Sequence, residues 1–169
     1  LKAVNPDNFE QADAYSNLTA KEPISTKFVF MLNVYPGGAV ATLKDLNVGD
    51  EVNIERSAKV GSENGGHNLY GHIEGTAIIH NLERRGETFH IDIQIPQGNI
   101  KYFFLKGFIG LNGCSLTVNR VDRNSSEISI DLIPETLRLT TWKDTKVGDE
   151  VNYEIDQTTR TLVDTLENI

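Results

Sequence analysis

The densest run of residue types suited to chemistry is Gly65-Gly66-His67-Asn68-Leu69-Tyr70-Gly71-His72-Ile73-Glu74-Gly75. Glycines gathered in this way allow backbone to approach a ligand closely. His72 lies between Gly71 and Ile73 at the head of a predicted strand. An imidazole there can hydrogen-bond a heterocycle or shuttle a proton near neutral pH. The competing reading is a surface or capping histidine. Asn64-Gly65-Gly66-His67 completes neither a dinucleotide fingerprint nor a phosphate-binding loop. His67 and His72 are five apart, and His80 and His90 fall on other predicted strands. With no H-E-x-x-H and no paired cysteines, no metal site is expected. Cys114 has no base nearby in sequence and reads as a small buried side chain. Asn17-Leu18-Thr19 fits a glycosylation acceptor but reads as a chance match.

The elements that would position these residues show an internal repeat. Residues 42–55 read TLKDLNVGDEVNIE and residues 141–154 read TWKDTKVGDEVNYE, identical at ten of fourteen positions at an offset of 99. Within each copy a Gly-Asp turn precedes apolar residues alternating with polar ones, the pattern of a half-buried strand. Similar alternation marks residues 90–95, closed by Pro96, then 115–119 and 127–132, with a polar turn at 122–126 between the last two. Short strands separated by Gly- and Asn-bearing turns predict a small antiparallel barrel rather than a βαβ sheet. Residues 134–139 read as one helical turn with proline near its start, and residues 162–167 as the beginning of a helix that stops after two turns. Residues 28–32 fit a strand and 35–38 a turn.

Composition narrows the class. The chain has 169 residues, 38% hydrophobic and 24% charged, which is ordinary globular composition. A net charge of −8 has the wrong sign for tracking phosphates, so no nucleic-acid partner is expected. No apolar run approaches the roughly 18 residues of a membrane span, so no membrane partner is expected either. One cysteine makes no internal disulfide and no signal peptide is evident, which points to the cytoplasm.

Taken together, the motifs resemble a known family. The series is GGH-x3-GH-x2-G at 65–75, KGFIGLNGCSLTV at 106–118, LIPETL at 132–137, the Thr140-Thr141 pair and VNYEID at 151–156. In this order, over roughly residues 42–169, the sequence is similar to riboflavin synthase. The resemblance implies an all-β chain of two tandem six-stranded Greek-key barrels with a short C-terminal helix. Residues 1–64 would form the first, incomplete or diverged, and residues 65–169 the second. It also implies a homotrimer without metal or organic cofactor. Such an enzyme converts two molecules of 6,7-dimethyl-8-ribityllumazine into riboflavin and a pyrimidinedione by transferring a four-carbon unit. By motif, His72 and Ser115 would be catalytic, and Lys106, Gly113, Ser115, Thr117, Thr136 and Asp156 would bind substrate. Thr117 also reads as a plain strand residue, Lys106 as a solvated charge and Asp156 as a turn residue.

The departures from that family are specific. Its opening Met-Phe-Thr-Gly-Ile-Val is absent, and the first-copy counterpart of the Cys114 block is not recognisable. Ser16 stands where the family's first-barrel cysteine would fall in the repeat frame. Tyr70 replaces a small residue, and the C-terminal helix is expected to end early at Ile169. Two copies spaced by 99 residues need 198, or 29 more than are present, and that shortfall falls on the first copy. The alternative reading is therefore a non-catalytic protein that binds lumazine or flavin.

Overall fold

The computed structural model describes residues 42, 50–53, 60, 61 and 64–169. Most of the expected first barrel, residues 1–64, including the strand at 28–32 and the turn at 35–38, lies outside them. Six strands make up the described chain: β1 (Gly75–Arg85), β2 (Thr88–Gln94), β3 (Phe108–Leu111), β4 (Cys114–Asp122), β5 (Glu127–Leu132) and β6 (Glu150–Ile155). They close into one barrel in the order β1-β2-β5-β4-β3-β6, with every neighbouring pair antiparallel. A closed six-stranded barrel and all-β character agree with the sequence expectation; among the described residues the α-helices are α1 (Pro134–Leu139) and α2 (Gln157–Glu167).

The barrel follows from period-2 alternation. On β2, Ile91 and Ile93 are fully buried while His90, Asp92 and Gln94 alternate with them. On β5, Ile128, Ile130 and Leu132 are likewise fully buried. Burial of each such side chain contributes roughly 1.5–3 kcal/mol. Trp142, from the 3-10 turn Thr141–Asp144, and Phe103 complete the core with Tyr153 of β6, whose hydroxyl accepts a hydrogen bond from Asn99 Nδ2.

Two bulges change the phase of the alternation. Pairing of β1 with β2 shifts between Ile79 and Asn81, so the inward set runs Ala77, Ile79 and then Leu82. Pairing of β4 with β5 shifts between Val118 and Arg120, so it runs Leu116, Val118 and then Val121. Each bulge adds one residue on one strand and turns the remainder of that strand to the other face.

Outside the barrel, β1, β2, β4 and β5 carry a lattice of bonded polar side chains. Asp92 accepts from Ser129 Oγ at 2.5 Å and from Asn81 Nδ2 at 3.0 Å, and Arg120 Nη2 reaches Glu127 at 2.5 Å. His90 Nδ1 is 2.6 Å from Asp131, and His80 Nδ1 is 2.5 Å from Glu127. Burial raises the pKa of the Asp92 carboxyl, but these bonds with the His90 and Arg120 charges outweigh it and hold the group below its ordinary value.

The second helix corrects the sequence expectation. It starts five residues before residue 162 and spans 11 residues rather than two turns. Its first turn has no apolar residue to signal it, but Asp156 caps it, its Oδ2 accepting from Thr159 N and Oγ1, both at 2.8 Å. Arg160 pairs with Glu74, Tyr102 Oη donates to Asp164 at 2.6 Å, and Lys101 pairs with Glu167, fastening the helix to the barrel. Among the described residues no helix is long and apolar enough to cross a membrane.

Candidate functional site

The β3–β4 hairpin carries the first part of the site. Its turn is Asn112-Gly113, with φ of 45° and 78°, the two-residue arrangement whose twist matches antiparallel strands. That turn fixes the register Phe108↔Thr117, Ile109↔Leu116, Gly110↔Ser115 and Leu111↔Cys114. Ile109, Leu111 and Leu116 fill the core, so Phe108, Gly110, Ser115 and Thr117 share the outer face. Lys106 joins them. Its residue has φ of 65°, its N–H donates to Val118 O at 2.8 Å, and Val118 N donates to Gly107 O at 2.9 Å.

Residues 64–74 are laid across this face without forming a strand. Gly66 sits so close to Ser115 that a Cβ built on it would lie 2.5 Å from Oγ and 2.7 Å from Cβ. At Gly110, an added Cβ would lie 2.7 Å from Leu69 Cδ2 and 3.1 Å from Glu154 Cβ. Tyr70 N donates to the buried Glu154 carboxylate at 2.7 Å, and Glu74 N donates to Tyr153 O at 2.9 Å as the chain enters β1. The sequence pattern places glycine here for close approach to a ligand. At Gly66 the approach is to the chain's own serine.

His67 is the centre of this contact. Its backbone N–H donates to Ser115 Oγ at 3.0 Å, and its Nδ1 lies 2.6 Å from the same oxygen. Its ring stacks on Phe108 with centroids 5.0 Å apart and planes 13° from parallel. Nε2 is buried and has no partner among the described residues. Burial lowers the His67 pKa from its ordinary value, while the negative charges of Asp156 and Glu154 act against that. The neutral ring is therefore favoured. Two tautomers satisfy the geometry: Nδ1 accepts the serine proton, or Nδ1–H donates and leaves that hydroxyl proton to point elsewhere.

The motif residues fall into distinct surroundings. Ser115 and Thr117 share one face of the hairpin, Lys106 is bonded to β4 through its backbone N–H, and Asp156 acts on His67 through its charge. Gly113 is exposed at the tip of the hairpin, where its positive φ meets the demand of the turn. His72 is exposed, its ring 6.2 Å from that of Tyr70. Thr136 is in α1, where its carbonyl accepts from both N and Oγ1 of Thr140. Cys114 is half-buried and packs against the core. In sequence His67 stands out only as part of the glycine-rich motif, and its contact with Ser115, 48 residues away, has no local signal.

Residues 70–156 match the family model described as the lumazine binding domain. The chain belongs to the lumazine-binding-domain family. Among proteins similar to this family member, riboflavin synthase of Escherichia coli (strain K12) is 42% identical over 131 residues, covering 77% of this chain and 61% of that protein. Riboflavin synthase of Buchnera aphidicola subsp. Schizaphis graminum (strain Sg) is 42% identical over 125 residues, covering 73% and 59%. That of Bacillus subtilis (strain 168) is 35% identical over 132 residues, covering 78% and 60%. The chain thus spans about 60% of the length of these relatives. A structure of LumP complexed with riboflavin matches with a TM-score of 0.60 at 30% identity, over 69% of this chain and 62% of that one. LumP complexed with 6,7-dimethyl-8-(1'-D-ribityl) lumazine matches with a TM-score of 0.58 at 26% identity, over 69% and 60%.

Proposed function

We propose that the chain is a riboflavin synthase, a transferase that dismutates two 6,7-dimethyl-8-ribityllumazine molecules into riboflavin and a pyrimidinedione. The observation that supports this reading is the β3–β4 face, where Ser115 and Thr117 lie beside the His67–Phe108 stack and the Lys106 N–H is bonded to Val118 O. Its motifs occur in a chain whose relatives are named riboflavin synthase. In this reading the Ser115 and Thr117 hydroxyls bond the polar edge of the flat heterocycle, and Lys106 supplies a positive charge to the anion formed when the C7 methyl loses its proton. Ser115 and His72 are the proposed proton-handling groups. The turn at Gly113 gives the ligand access to the hairpin, and Thr136 and Asp156 contribute further polar contacts. Holding two identical substrates face to face supplies much of the rate. The four-carbon unit passes from one lumazine to the other, so this dismutation consumes no outside oxidant or reductant.

The same reading includes two tandem Greek-key barrels, over residues 1–64 and 65–169, and a cytoplasmic homotrimer. The 99-residue repeat supports the tandem arrangement. Exposed Leu162, Leu166 and Ile169, spaced by four and three along α2 and its end, offer an apolar strip for self-association.

The LumP complexes favour a second reading, in which the chain binds lumazine or flavin without turning it over. Incubation with 6,7-dimethyl-8-ribityllumazine, followed by absorbance for riboflavin, separates the two. Riboflavin formation supports the synthase. Saturable binding without product supports the second reading, and neither binding nor product overturns both.

A further inference from the structure

Residues 64–74 form no strand, so their position depends on their anchors. At the end that enters β1, the Glu74 backbone N–H donates to Tyr153 O at 2.9 Å. The Glu74 carboxylate pairs with Arg160 of α2, both side chains being half-buried. Glu74 lies two residues beyond His72, so this ion pair fixes the stretch of chain that carries the candidate histidine.

Arg160 also meets a second stretch of the site. Its guanidinium carbon lies 5.5 Å from the centroid of the Tyr102 ring, and the Tyr102 hydroxyl donates to Asp164, one turn further along α2, at 2.6 Å. A cation over a ring face and a hydroxyl on a carboxylate thus hold the 3-10 turn Ile100–Tyr102 against the helix. The chain then runs from Tyr102 to Lys106 by a stiff connection. Arg123 Nη1 and Nη2 donate to Ile100 O and Phe103 O at 3.1 and 3.2 Å, and Gly107 N donates to Phe104 O at 2.9 Å. A displacement of Tyr102 is therefore passed on toward Lys106. The helix itself starts at a candidate residue, because Asp156 is its N-cap and Asp156 O accepts from Arg160 N at 2.9 Å. Arginine suits this place, since its planar face stacks on a ring while its edge bonds a carboxylate, which the point charge of lysine does not match.

We propose that α2 is a brace that sets the spacing between the His72 segment and the Lys106 loop, with Arg160 as its positioning residue. Arg160 acts through the two groups it holds, Glu74 and Tyr102. The proposal rests on reading this face as a lumazine site, and its test has one arm that does not.

Fluorescence titration of the full chain with 6,7-dimethyl-8-ribityllumazine reads binding, and residue-resolved amide exchange without ligand reads the brace itself. Arg160→Gln is expected to weaken binding roughly two- to thirtyfold, the range for residues that bias a site from outside it. It also speeds exchange at the amides of both Glu74 and Lys106, which lie on opposite sides of Arg160. Arg160→Lys keeps the charge without the stacked plane and falls between the two. Glu74→Gln weakens binding as well, and adding it to Arg160→Gln costs little more, because one interaction is lost in either case. Glu74→Gln leaves the helix intact and carries the test if Arg160→Gln does not fold. Unchanged affinity in the folded single variants overturns the proposal, as does an additive double variant or faster exchange confined to the Glu74 side. If the unaltered chain does not bind the ribityllumazine, the functional reading falls and the exchange at Glu74 and Lys106 alone decides the brace.

Discussion

Replacing Gly66 with alanine probes how residues 64–74 are seated. The new methyl would lie 2.5 Å from Ser115 Oγ and 2.7 Å from Ser115 Cβ. The second of these atoms is fixed to β4 backbone and cannot rotate away, so the segment or the strand must move. Such overpacking costs about 1–3 kcal/mol. Moving the segment also lengthens the two bonds from His67 to Ser115, each worth about 0.5–1.5 kcal/mol net. The combined loss is about 2–6 kcal/mol. Urea unfolding with exchange at the His67 amide measures it: the midpoint falls and that amide loses protection, while β2 and β5 amides exchange slowly. Gly65→Ala is the control, since an added Cβ there meets nothing within 4 Å. Adding Ser115→Gly to Gly66→Ala removes both clashing atoms and should recover the packing loss but not the bonds. If Gly65→Ala and Gly66→Ala are equally mild, and the His67 amide stays protected in both, the segment does not rest on Ser115 and the site geometry is wrong.

Protonation of His67 opposes folding, because burial holds its pKa below the ordinary 6.5. The unfolded chain then binds the proton more readily, so stability is full above about pH 6.5 and falls as pH drops below it. His67→Gln should flatten that slope between pH 5 and 7 in thermal melts, and an unchanged slope would contradict the burial argument. Asp156→Ala removes the cap of α2 and should cost about 1 kcal/mol in chemical denaturation, while Asp156→Asn retains it. If Asp156→Asn nevertheless loses ribityllumazine affinity in a fluorescence titration, the carboxylate has a ligand role beyond capping. Gly113→Ala places a side chain at φ 78° and should cost about 1–2 kcal/mol in urea denaturation. A neutral result there would mean the hairpin adopts another turn.

How far the fold is legible in the sequence depends on unbroken alternation. The strand expected at 127–132 coincides with β5, and that at 90–95 overlaps β2 closely, because each keeps one phase from end to end. In β1 and β4 the bulges switch the inward set from odd to even and from even to odd positions. A fixed period of two therefore sees only half of each, and it ends β4 at residue 119. At the site, Ser115 and Thr117 are legible from motif and alternation together. The sequence singles out His72, whereas the contact that distinguishes His67 depends on a loop folding back over a strand 48 residues away. No window of sequence contains both partners.

The closed ring of strands also bears on how the chain reaches its native state. Neighbours such as β3 and β4 pair through a two-residue turn, but closure joins Gly75 of β1 to Tyr153 of β6. The entropy of closing that long loop must be met before the pairing gives anything back, which places barrels of this kind among slow folders, on the order of milliseconds to seconds. Residues 64–74 are anchored both to β4, through Ser115, and to β6, through Glu154 and Tyr153. The same residues lead directly into β1, so laying them on β4 and β6 goes with the joining of β1 to β6. The candidate site is thus among the last parts of the molecule to be assembled, and recovery of ligand binding during refolding would time the closing of the barrel.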